Sequence, residues 1–423
     1  MHRNVTTTGQ AGDTVTPSEF ISSIGIINVW TGLLGLATLL LIGMLFSGRR
    51  IEASRPTLLL LGIALVAGFT GIYAGKGQYQ PQVQSEHPIL KTYGPGMGPL
   101  HMAGFYKSKF NPEQARFVQD IVHDPSNVPP PIQRDYPRTV HITLEAEERV
   151  APLTANSTYY YWTYNGTVPG PILRVREGDT IVLTLRNEKQ STHNHSIDLH
   201  AVNGPGGGAV MTQVPPGSSK TIRFKALNPG FYVYHCGSDN IPTHIANQMF
   251  GGIIVEPKGG LPPVDEQFVV FQGEIYANGS MGATGYQAFA PRKLLREEPT
   301  YYTFNGRPHG ITGKHRLDAA VGDLVRIYFG NMGNAKISSF HVIGEQFTRY
   351  WPHGAFNITA QGPGVQTVPV AAGSSAVVDL KINAPGNYVL VDHALARLDR
   401  GAWGILQAEG RKQPSVFTGM KEE

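Results

Sequence analysis

Residues 161–187 (YWTYNGTVPGPILRVREGDTIVLTLRN) and 301–331 (YYTFNGRPHGITGKHRLDAAVGDLVRIYFGN) repeat one order of features. Each has an aromatic strand, an Asn-Gly turn, a Gly-Asp pair and an alternating apolar strand. NPGFYVYHC (228–236) and APGNYVLVDH (384–393) extend the parallel. A duplication on this scale restricts the fold to two copies of one unit. The unit is a β-sandwich, because from Arg138 onward the chain reads as short period-two strands: TVHITLEAE, ILRVREGD, TIVLTLRNE, KTIRFKAL, GFYVYHC and GGIIVEP. A second set follows: FVVFQGEI, LVRIYFG, SSFHVIGE, AVVDLKI, NYVLVDH and WGILQAE. The break at GGLPPVDEQ marks the boundary, giving units at 136–258 and 259–412. The 50 Gly and 31 Pro supply the turns.

The N-terminus follows another rule. Residues 20–46 and 57–74 are apolar and free of charge, and each reaches the length of a membrane span. The preceding residues lack the basic character of a signal peptide, and no small-residue cleavage site follows. The predicted anchor is therefore a two-helix transmembrane hairpin within residues 1–75. Its connecting loop carries Arg49, Arg50 and Arg55 and faces the cytoplasm. Residues 76–135, rich in Gly and Pro, read as a linker and covering segment. Within it, Asn111-Pro112-Glu113 predicts a short helix through Val122, with Asn as N-cap and Pro in the first turn. The net charge of +4 comes without a Lys/Arg block dense enough for nucleic acid.

The single cysteine carries the chemistry. One Cys excludes an internal disulfide, a CxxCH haem attachment and an Fe–S cluster. It sits in YHCGSDNIPTHIANQM (234–249), with His244 and Met249 close behind. A thiolate, two imidazoles and a thioether select copper of the electron-transfer kind. THNHSIDLH (192–200) offers the second imidazole, His195, with His193 as its rival on the same strand face. Alternation puts His235, His200 and Asp198 on the opposite side, so two sites stand back to back. Adjacent ligands in the chain put the metals roughly 12 Å apart. His341 and His393 remain for the second site. His393 sits where the duplicated pattern has His235-Cys236, and a symmetric ring lets one subunit complete a site on the next.

HSIDLHAV, GPGGGAVMTQVPPG, YHCGSDNIPTHIANQM, SSFHVIGE and LVDHALA together resemble the copper-containing nitrite reductases, over about residues 117–410. The resemblance implies a mainly β fold of two tandem Greek-key cupredoxin sandwiches, in a homotrimer with one type 1 and one type 2 copper per subunit. It implies that His195, Cys236, His244 and Met249 hold type 1 copper. His200, His235 and His393 of the neighbouring subunit would hold type 2 copper. Asp198 and His341 match the catalytic acid pair, Ile343 the residue crowding the substrate, and Thr367 a hydroxyl orienting the catalytic His. The implied reaction is one-electron reduction of nitrite to nitric oxide and water. The implied donor is a c-type cytochrome or small cupredoxin. With the hairpin, this places the enzyme on a bacterial inner membrane, its catalytic domains facing the periplasm.

The chain departs from the family pattern at His193, at Gln248 where a Gly commonly precedes the Met, and in the hairpin. Two rival readings are a membrane-tethered cupredoxin electron carrier and a laccase-like multicopper oxidase. The latter needs four His-x-His pairs, and here His193/His195 is the only one.

Overall fold

The computed structural model describes residues 115–238, 240–358 and 362–419. The expected hairpin at 20–46 and 57–74 lies outside them. Among the described residues no helix is long and apolar enough to cross a membrane.

The first half contributes β1 (Thr139–Thr154), β2 (Ser157–Tyr164), β3 (Leu173–Arg176), β4 (Thr180–Asn187), β5 (Asp198–Leu199), β6 (Ser219–Lys225), β7 (Gly230–His235), a short helix α1 (Ile241–Ala246) and β8 (Phe250–Glu256). The second contributes β9 (Glu266–Ile275), β10 (Gly285–Gln287), helix α2 (Pro291–Leu295), β11 (Tyr301–Phe304), β12 (Leu317–Ala320), β13 (Leu324–Asn331), β14 (Ser338–Ile343), β15 (Phe347–Trp351), β16 (Thr367–Val370), β17 (Ser374–Lys381), β18 (Gly386–Asp392) and β19 (Trp403–Glu409).

The duplication extends to the topology. The outer sheet of the first half contains the order β2-β1-β4-β6, and the matching sheet of the second contains β11-β9-β13-β17, with β15 added at its edge. The partner sheets run β3-β8-β7-β5 and β12-β19-β18-β14. Even the Asn-Gly turns repeat. Asn165 and Asn305 both have positive φ, as do Gly166 and Gly306, a conformation that Asn and Gly tolerate. In each turn the Asn side chain accepts a backbone N–H from the neighbouring strand, Glu145 in one half and Phe271 in the other, both at 2.8 Å.

Four sheets make three apolar seams. Leu144, Ala146, Leu183, Tyr234 and Val255 fill the first sandwich, and Phe268, Ile327, Val342 and Leu390 fill the second. The third seam joins them. Phe231 and Val233 of β7, Ile254 of β8, Val269 and Phe271 of β9, and Val377 of β17 face it, each alternating with a neighbour that faces its own sandwich. Sheets buried on both sides lose the polar half of the alternation, and every residue of β8 is buried.

Two features differ from expectation. Gly285–Gln287 of the second half adds a parallel edge strand to β2 of the first. And residues 115–122 form no helix. Val118 N–H donates to Val150 and the Val150 N–H to Arg116, while Ile121 and Val122 enter the central seam. Local capping favoured a helix, but burying two β-branched residues across the seam prevails. The strap continues along the seam, with the Val269 N–H donating to Pro125 and the Ile132 N–H to Glu256.

Candidate copper centres

Strand β7 ends at His235, and Cys236 opens the loop that leads to β8, its neighbour in the same sheet. Helix α1, begun by Asn240 in the left-handed region and Pro242 in its first turn, turns His244 back toward the cysteine. The Met249 N–H then donates to the His244 carbonyl, and the Cys236 N–H to the Met249 carbonyl, both at 3.1 Å. From the other side His195 is fixed by paired backbone bonds with Val214. The result brings the ligand atoms of His195, Cys236 and His244 within 4.8 Å of one another, all three residues buried. Met249 is fully buried beside them. Cys236 Sγ lies 3.8 Å from His195 Nδ1 and accepts the Ser196 N–H at 3.3 Å. Burial pushes the thiol up, but the His195 imidazole and the Ser196 and Ser238 amides outweigh it and hold the thiol below its ordinary range. A thiol held below its ordinary range, two imidazoles and a buried thioether suit copper.

His193, the rival ligand, is not in this group. Its Nδ1 contacts Glu148 at 3.0 Å and its ring packs on Trp162, centroids 4.2 Å apart. Glu148 also holds His195, whose Nε2 lies 2.9 Å from the same carboxylate oxygen. Burial would raise this carboxyl, yet the two histidines hold it well below the usual carboxylate range. An ionised carboxylate only accepts, so His195 Nε2 carries the proton and Nδ1 presents its lone pair toward the cysteine. Glu148 escaped the sequence reading, although a signal was present: it shares the inward face of β1 with Ile142, Leu144 and Ala146.

On the opposite face, β5 pairs with β7 so that Asp198 stands across from His235. His235 Nδ1–H donates to the Cys236 carbonyl at 3.0 Å, which leaves Nε2 as an acceptor. That Nε2 lies 3.2 Å from His200 Nε2. Desolvation holds both imidazoles below their ordinary range, assisted at His200 by His235. Two largely neutral imidazoles converging in this way fit a metal. Burial raises the Asp198 carboxyl against the pull of His200.

The remaining residues lie elsewhere. His341 and His393 stand together on the second sandwich, ring centroids 5.3 Å apart, and His393 is exposed. His341 Nδ1–H donates to the Gln366 carbonyl at 2.7 Å, and Thr367 is registered directly opposite His341. Ile343, 44% exposed, lines an open cavity of about 650 Å³ with Tyr388 and Phe417. Among the described residues His393 forms no three-ligand group with His200 and His235 inside one chain.

Residues 146–260 match the multicopper oxidase family. The copper-containing nitrite reductase of Neisseria meningitidis serogroup A is 45% identical over 292 residues, covering 69% of this chain and 75% of that one. The chain belongs to the copper-containing nitrite reductases. The Pseudomonas chlororaphis enzyme of that name is 30% identical, with 67% and 83% covered. Among solved structures, the copper nitrite reductase of Nitrosomonas europaea superposes with a TM-score of 0.57 at 34% identity, covering 66% of this chain and 98% of that one. As a nitrite reductase of this family the chain is a copper-dependent oxidoreductase.

Proposed function

We propose that this chain reduces nitrite by one electron to nitric oxide and water, at copper held by His200, His235 and His393 of a neighbouring copy. The close approach of His200 Nε2 and His235 Nε2, 3.2 Å apart, carries this reading. His195, Cys236, His244 and Met249 hold the electron-entry copper. Bound copper supplies one-electron redox chemistry at the first set and a Lewis-acidic anion site at the second. Cys236 and His235 join the two sets through a single peptide bond. The reaction consumes one electron and two protons per nitrite, since N–O cleavage without protonation would release oxide. Asp198, half-buried and with its carboxyl raised by desolvation, hydrogen-bonds the anion and delivers one of these protons. His341, oriented by the Gln366 carbonyl, holds the other, and Ile343 crowds the anion.

The exposure of His200 and His393 on a single chain supports assembly into a homotrimer that joins them. The apolar runs at 20–46 and 57–74 support a tether to the bacterial inner membrane with the catalytic domains in the periplasm, where a c-type cytochrome or small cupredoxin delivers electrons. Copper-loaded protein, reduced without oxygen and given nitrite, should release nitric oxide continuously at an electrode. A normal type 1 absorption band with no nitric oxide would overturn this reading in favour of an electron carrier.

A further inference from the structure

Gln248 is fully buried and immediately precedes Met249. Its φ of 76° lies in the left-handed region, which strains a non-glycine residue. The side chain supplies a reason for its presence there. Nε2 donates to the Glu274 carbonyl on β9 at 3.0 Å and to Ala246 at 3.3 Å. Oε1 accepts from the Thr303 hydroxyl on β11 at 3.2 Å. Both β9 and β11 belong to the second sandwich, while the ligand loop belongs to the first. The fit is mutual, because a Cβ on Gly273 would meet Gln248 Oε1 at 2.4 Å. Glu274 is a firm anchor: its carboxylate accepts from the Tyr276 hydroxyl and from the Lys336 and Ala335 amides.

The preceding residue holds the loop to its own sandwich. The Asn247 carbonyl accepts the Trp162 N–H at 2.9 Å, and its Oδ1 accepts the Tyr159 hydroxyl at 2.8 Å. The loop is thus gripped from both sandwiches, and Met249 follows the grip directly.

We propose that Gln248 is a positioning residue for the first copper site: its amide ties the loop carrying His244 and Met249 to the second sandwich and so sets the reach of the Met249 thioether. This rests on the assignment of that site. The thioether would be the weak ligand whose approach tunes the potential of such a centre. Losing the tie lets the thioether withdraw, which weakens the oxidised state and raises the potential.

The test uses the copper-loaded full chain and two variants. Q248G removes both cross-sandwich bonds and relieves the backbone. T303V removes one bond from a strand that carries no ligand. Both should alter the ratio of the thiolate-to-copper absorption bands and raise the potential. For Q248G the expected change is about tenfold in the oxidised-to-reduced preference, about 59 mV. T303V should give a smaller change of the same sign, and the double variant no more than Q248G alone. A fall in melting temperature with bands and potential unchanged in both variants would reduce Gln248 to structural glue and overturn the proposal. Should Q248G fail to fold, T303V alone decides. Wild-type protein with no thiolate-to-copper band would instead overturn the site assignment beneath it.

Discussion

Glu148 gathers donors from three directions: His193 and His195, the Thr192 amide and hydroxyl, and the Tyr160 hydroxyl. Its charge lies directly behind His195, a proposed copper ligand, where it would make the imidazole a stronger donor and favour oxidised copper. E148Q keeps the shape but removes the charge. It should weaken copper(II) binding about 10- to 100-fold and raise the reduction potential, as read by metal competition and redox titration. An unchanged potential would limit Glu148 to packing. The catalytic face makes a different demand. In the proposed mechanism, replacing Asp198 with Asn removes a proton carrier without removing a ligand, so turnover should fall about 10²- to 10⁴-fold while copper content holds. Full activity in D198N would remove Asp198 from the scheme.

At the level of elements, strands were legible where one face meets water and the other a core, as in β4, whose exposure alternates residue by residue. Elements defined by their neighbours were not. Strands β5 and β10 are two or three residues long and exist only through pairing with β7 and β2. The strap at 115–122 went the same way, its local helix signals outweighed by Ile121 and Val122 in the seam. The strap is also clasped by charge. Burial would raise the Asp120 carboxyl, but bonds from Lys314, His315 and the Val122 amide outweigh it and bring it down to about 2. A depressed carboxyl contributes stability that is complete above its unfolded pKa, near pH 4, and is lost as pH falls toward 2. Partial exposure limits the contribution to roughly 1 kcal/mol. D120N should therefore unfold at lower urea than wild type at pH 7, with the gap closing between pH 4 and pH 2. A gap independent of pH would mean that the clasp is not electrostatic.

At the scale of the molecule, the duplication was readable because Asn-Gly and Gly-Asp turns keep their residues wherever the backbone requires them. The fusion of the copies was harder to read. Residues facing the shared seam, such as Phe231 and Phe271, look in sequence like those facing either sandwich. The same holds for the proposed catalytic site. His200 and His235 meet within one chain, while His393 waits on the other sandwich, and no local pattern says which copy it serves. Nitrite is proposed to be reduced where these three converge across a subunit boundary. The direct measurement is nitric oxide production by oligomers co-assembled from equal amounts of H200A and H393A chains, each inactive alone. In a cyclic assembly a complete site forms where an intact His200 faces an intact His393 from the next subunit, which random mixing yields at about a quarter of boundaries. Activity near that fraction of wild type is expected. Mixed oligomers as inactive as either parent would contradict it.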